Sequence, residues 1–167
     1  KLYSMSMKAR IVSRKIFVMS IYEQLVGQTA IDMSDNYDFP LYKDTSLAMS
    51  QMVYMAERFF TNGEKESNDI YDMLDVAFLK EMILWWLTAV PAVIRAVEQH
   101  ATTFSFDKMD PMDKAIFLAG WVEYLIHKTP IKIILNEMIE IAKRYGDEWS
   151  PKLINGIWHK VIETLTQ

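Results

Sequence analysis

The chain of 167 residues has no cysteine. That excludes a disulfide scaffold, a thiolate metal site and a thiol nucleophile, and it fits a reducing compartment. Glycine and proline are scarce, at five each, which excludes collagen-like and low-complexity architectures. A membrane-length apolar run is also missing. The longest, Met82 to Ile94, spans thirteen residues between Glu81 and Arg95, whereas a membrane crossing needs about 20. A buried core helix is expected there, kinked or broken at Pro91. Lys8, Arg10, Arg14 and Lys15 interrupt any apolar run at the N-terminus, so no secretory leader is expected. The first residue is Lys1 rather than Met, which leaves room for residues upstream.

Catalytic motifs are absent too. There is no P-loop, no G-x-G-x-x-G and no H-E-x-x-H. His100, His127 and His159 are scattered and lack metal-type partners at helical spacing. Glu137 and Glu140 share a helix face, but Lys143 and Arg144 lie near enough to pair with them. No enzyme, metal or cofactor is expected.

The residues present describe a soluble globular domain, 51% apolar and 24% charged. The twelve methionines are expected to fill gaps in the core. Net charge is −4, unsuited to a general nucleic-acid coat, but its distribution is uneven. Residues 1–15 carry five basic side chains and no acid, so the remainder stands at −9. The pattern is that of a basic arm on an acidic body.

Three dipeptides, Asp110-Pro111, Thr129-Pro130 and Ser150-Pro151, each precede an apolar-periodic run. In each, a side-chain oxygen is expected to cap the helix while proline takes its first turn. Helices are expected near 8–26, 45–61, 68–78, 80–99, 111–126, 130–145 and 151–165. Gly27 and Gly63 should end two of them, and Gln28 to Lys43 should form the longest loop. No period-two pattern persists and no linker divides the chain, so residues 1–167 are expected to form one all-α domain of about seven helices.

On the first helix Lys8, Lys15 and Tyr22 recur every seven residues and form one stripe, flanked by Arg10 and Arg14. Ile11, Val18 and Leu25 form another, expected to face the core. Cations followed by an aromatic ring suit single-stranded RNA, as they equally suit a solvated helix end.

Near the C-terminus stand residues that helix formation does not require: Asn136-Glu137 within an apolar run, Lys143-Arg144-Tyr145-Gly146, and Asn155-Gly156 in the final helix. Asn136 and Asn155 are expected to satisfy backbone groups at helix crossings, with a polar contact to a ligand as the other reading, and Gly156 to permit a close helix approach. The order Pro130-x-Lys132 … Asn136-Glu137, then Lys143-x-Tyr145-Gly146, then Ser150-x-Lys152 … Asn155-Gly156 resembles the C-terminal signature of the NusB family of bacterial transcription antitermination factors. The similarity extends to Asp113-Lys114-Ala115-Ile116, to Glu123, and to Arg10, Arg14, Val18, Ile21 and Tyr22.

The resemblance implies two packed three-helix subbundles. It implies binding of boxA-type RNA from ribosomal RNA leaders together with NusE, a small-subunit ribosomal protein, within the RNA polymerase elongation complex, in the cytoplasm. Lys8, Arg10, Arg14, Lys15 and Lys152 would contact phosphate, Tyr22 and Tyr145 base or ribose, and Asp113 the protein partner. The turn at Gly146 and the start of the last helix, with its outward amides, would add to the RNA surface. The sequence also departs from the family. Ile11 and Val12 stand where further cations are common, Leu118 where arginine is common, and Trp149 where a small acid is common. Trp149 would either stack on a base or cap the core. Two other readings share the resemblance: an interaction module that has lost RNA binding, and the RNA-recognition domain of a ribosomal RNA methyltransferase of which this would be a fragment.

Overall fold

In the computed structural model, residues 2–27, 43–61, 67–100 and 106–165 are described. They form seven α-helices: α1 (Leu2–Gly27), α2 (Thr45–Thr61), α3 (Ser67–Met73), α4 (Val76–His100), α5 (Pro111–His127), α6 (Ile131–Tyr145) and α7 (Ser150–Leu165). A short 3-10 turn, Phe106–Lys108, precedes α5. No strand occurs among the described residues, so the all-α, seven-helix expectation holds. The expected loop Gln28 to Lys43 (save Lys43) and Gly63 lie outside them.

Two expected boundaries differ. α1 begins six residues earlier than its basic stripe indicated. The α3–α4 break falls at Leu74–Asp75 rather than near 79. Asp75 decides this: its Oδ1 accepts the Phe78 amide at 3.1 Å and so starts α4. The capping device is real but sits elsewhere than expected. Asp44 accepts the Leu47 amide (3.0 Å) and Asp147 the Ser150 amide (3.0 Å). Asp110 makes no side-chain cap bond, and Pro130 rather than Thr129 holds the cap position of α6. Thr129 instead donates to the buried Glu123 carboxylate at 2.9 Å.

The chain divides into two compact units, residues 1–87 and 88–167. In the first, α1 packs on α2 and α3. Its stretch from Ile16 to Ile21 is buried all round, because neighbours cover it on several sides. Ser20 is tolerated there because its hydroxyl donates to the Ile16 carbonyl at 2.9 Å. Phe17 meets Trp86 edge-on, with centroids 5.4 Å apart.

α4 runs unbroken through Pro91, so of the expected kink or break the break does not occur. Pro91 is exposed, so the carbonyl that loses its helical donor lies on a wet face. Nor is the helix buried all round. Phe78, Leu79, Met82, Ile83 and Trp86 are buried, while Leu84, Trp85 and Leu87 are exposed. By length and composition alone, its span Val76–Arg95 would also suit a membrane.

In the second unit α5 is the central helix, buried continuously from Asp113 to Glu123 and packed on α6 and α7. Trp121 and Trp158 stack at 4.2 Å with planes 9° apart. Gly120 makes this possible. A Cβ there would lie 2.2 Å from Met138 Sδ and 2.9 Å from the Trp158 ring. Gly156, expected to fill that role, has nothing within 4 Å of its missing Cβ. Leu118 is wholly buried, so its position serves the core.

Candidate nucleic-acid interface

Each unit carries part of the expected site, and each treats its cations differently. On α1, Lys8 is exposed, whereas Arg10, Arg14, Lys15 and Tyr22 are half-buried. Val18 and Leu25 are buried as expected, and Ile11 is half-buried. Arg10 Nε donates to Asp75 Oδ2 at 2.9 Å, and its guanidinium lies 4.3 Å from the Phe78 ring centroid. Arg14 stands 6.0 Å from the same ring. Between the two arginines, Ser13 accepts the Asp75 amide at 2.8 Å. The Arg10-Ser13-Arg14 row therefore holds the α3–α4 junction against α1. Arg10 is first a structural residue, a role its spacing in sequence did not show.

The α6–α7 turn in the second unit is built differently. Arg144 lies 5.5 Å from the Tyr145 ring, and Lys152 Nζ lies 5.7 Å from the Trp149 ring. Trp149 is 63% exposed, so it does not cap the core. Lys152 and Arg144 are exposed and Tyr145 is half-buried. Two cation–aromatic pairs thus stand at one turn, each offering a ring face and a positive charge. Its place in sequence offers Arg144 to Glu137 and Glu140 as an ion-pair partner. Its adjacency to Tyr145 was the missed signal.

The start of α7 is not an open anion site. Asp147 Oδ1 accepts the Trp149 amide (2.8 Å) and the Ser150 amide (3.0 Å). Ser150 Oγ accepts the Asp147 amide at 3.0 Å in return, a reciprocal box closed by Ser150 in place of the usual Glu. A carboxylate already occupies the place a phosphate would take. The spacing Asp147-x-x-Ser150 before an apolar run carried that signal. Tightness at Gly146 agrees: a Cβ there would lie 2.5 Å from Ser150 Oγ.

Asp113, expected to face the protein partner, is 3% exposed. Burial pushes its carboxyl above the usual range, a hydrogen bond with Ser150 opposes this, and the charges of Asp147 and Asp110 add to the rise. In this structure its surroundings are internal to the unit. Asn136 and Asn155 are exposed, so packing at a helix crossing does not account for either. Among the described residues no group of His, Asp or Glu side chains is placed to hold a metal ion.

The described residues, seven α-helices and no strand, define the class of all-α helical proteins. Comparison with known sequences makes it specific. The NusB family profile matches residues 44–163, and the chain belongs to that family. Relatives named transcription antitermination protein NusB include those of Methylacidiphilum infernorum, 35% identical over 68% of this chain and 84% of that protein, and Fervidobacterium nodosum, 36% identical over 64% and 81%. The Finegoldia magna protein is 30% identical over 53% of this chain. The similarity covers 66% of the Finegoldia protein's length and 47% of that from Sulfurovum.

Proposed function

We propose that this chain is a transcription antitermination factor that binds boxA-type single-stranded RNA of ribosomal RNA leaders together with NusE. On this reading residues 1–167 act as one RNA-binding domain that joins the RNA polymerase elongation complex in the cytoplasm. The observation that carries the reading is the α6–α7 turn, with its Arg144–Tyr145 and Lys152–Trp149 pairs, in a chain of this family. Trp149 and Tyr145 offer stacking faces, worth about 1–3 kcal/mol per base. Arg144 and Lys152 neutralise the adjoining phosphates. In the first unit Lys8 and Lys15 supply a separate cationic stripe on α1, with Tyr22 further along it, and Arg14 adds charge beside them.

Binding of a boxA-like oligonucleotide at two salt concentrations, with and without NusE, tests this. Salt-sensitive binding that NusE strengthens is expected. Its absence in a folded protein that still binds NusE would overturn the reading. One observation favours an alternative, an interaction module without RNA binding: the Arg10 ion pair with Asp75 removes one cation from an arm already short of them.

A further inference from the structure

Three of the described glycines answer to the chain itself. Gly27 closes α1, a Cβ at Gly120 would meet Met138 and Trp158, and one at Gly146 would meet Ser150. Gly156 does not. It stands in the interior of α7, where glycine weakens a helix relative to alanine, and a Cβ there would meet open space. Its neighbour Asn155 is exposed as well. Neither residue is needed by the helix or by its packing, so what they serve lies outside the chain. A helix residue without a side chain lets a ligand approach the backbone closely.

The surroundings say which ligand. The exposed residues of α7 are Lys152, Asn155, Gly156, His159, Lys160 and Glu163. Helical spacing sets them on one face, opposite the buried Ile154, Ile157, Trp158 and Val161. Lys152 and His159 stand one turn to either side of Gly156. The face carries two lysines against one acid, on a chain whose net charge is −4. It is also continuous with the α6–α7 turn. Lys152 Nζ lies 5.7 Å from the exposed Trp149 ring, and the Trp149 carbonyl accepts the Leu153 amide at 3.0 Å, in the first turn of α7. From Trp149 to Gly156 is about 10 Å along the helix axis. A base stacked on Trp149 sets its sugar–phosphate chain beside this face.

We propose that the face of α7 centred on Asn155-Gly156 is a binding track for single-stranded RNA leaving the Trp149 turn. The strand crosses Gly156 against the helix backbone. Asn155, with donor and acceptor in one amide, hydrogen-bonds a base edge or a ribose hydroxyl. Lys152 meets the phosphate before the crossing, and His159 donates an N–H to the one after it. The track rests on the function proposed above.

The test uses the full chain with Gly156→Ala, Gly156→Leu and Asn155→Ala, and with Gly27→Ala as a control whose Cβ also meets open space. Thermal unfolding, affinity for a boxA-like oligonucleotide and affinity for NusE are measured. Gly156→Ala should raise Tm and weaken RNA binding. Gly156→Leu should weaken it by about tenfold to a hundredfold, the scale of overpacking a close contact. Asn155→Ala should cost about tenfold, the scale of one hydrogen bond. Gly27→Ala should bind RNA as the parent does. In the parent, RNA should shift the backbone amide resonances of Asn155 and Gly156, a measurement that needs no variant. RNA affinity indifferent to Gly156→Leu, or lowered as much by Gly27→Ala as by Gly156→Ala, would overturn the track while the proposed function stands on Trp149. So would amides at Asn155 and Gly156 that RNA leaves unmoved. Loss of NusE binding with RNA binding intact would overturn it too and assign the face to a protein. A parent that binds no RNA, with or without NusE, overturns the function and the track with it.

Discussion

The two units use the same residue types for different ends. On α1, Arg10 is ion-paired to Asp75 and packed on Phe78, so its charge is largely neutralised inside the unit. At the α6–α7 turn, Lys152 and Arg144 are exposed and rest on the rings of Trp149 and Tyr145, and Trp149 is mostly exposed. Counting cations along the chain favours α1 as the interface. The geometry shifts the weight toward the turn, because an arginine that closes a helix junction and one that stands on an exposed ring offer different amounts of charge to a ligand.

Substitutions separate the two regions. The largest effect on stability should come from Gly120→Ala, which drives a methyl into Met138 and the stacked Trp158. A loss of about 1–3 kcal/mol is expected, read from denaturant unfolding. If stability is unchanged, the second unit is looser than its stacking indicates. Trp149→Ala should leave unfolding untouched and cost about 1–3 kcal/mol of RNA binding. A matching loss in both measurements would make Trp149 a packing residue and erase the contrast with α1.

Arg10→Ala should lower stability by about 1–2 kcal/mol, as loss of a half-buried charged hydrogen bond does. A double-mutant cycle with Asp75→Ala checks the coupling. Lys8→Ala, by contrast, should leave stability alone and reduce the salt slope of RNA binding by about 0.7. If Arg10→Ala behaves like Lys8→Ala, the ion pair is not the main role of Arg10. The smallest change is a gain. Gly156→Ala meets open space and should stabilise α7 by about 0.5–1 kcal/mol, visible as a raised Tm.

Much of the fold was legible from α5 onward. Pro111, Pro130 and Pro151 marked where helices start, since proline is favoured at or just before the first turn, and Gly146 marked an end. What failed there was the choice of cap. Asp-x-x spacing governs at Asp44, Asp75 and Asp147, where a short carboxylate reaches the amide three residues on. Thr129 is no cap because Pro130 holds that position, and its hydroxyl donates to the buried Glu123 carboxylate. Of the expected site, Lys152 and Tyr145 stand at the α6–α7 turn, Lys152 against the Trp149 ring and Tyr145 against Arg144. Asp113 was located, but its burial was not visible, because N-terminal acids on helices are usually solvated. Asn136 and Gly156 were misjudged for the opposite reason: an unusual residue in an apolar run was taken as buried, and both are exposed.

By itself the sequence determined the helical class, the number of helices and the family, because periodicity, proline placement and a short string of unusual residues are local and survive without neighbours. Only the tertiary structure decided what each charge does. Whether an arginine faces water or an aspartate 65 positions away, and whether a carboxyl is ionised in solvent or crowded against Ser150 and two other acids, depends on which helices meet. Electrostatic energy is set by distance and burial, and neither is written in the order of the residues.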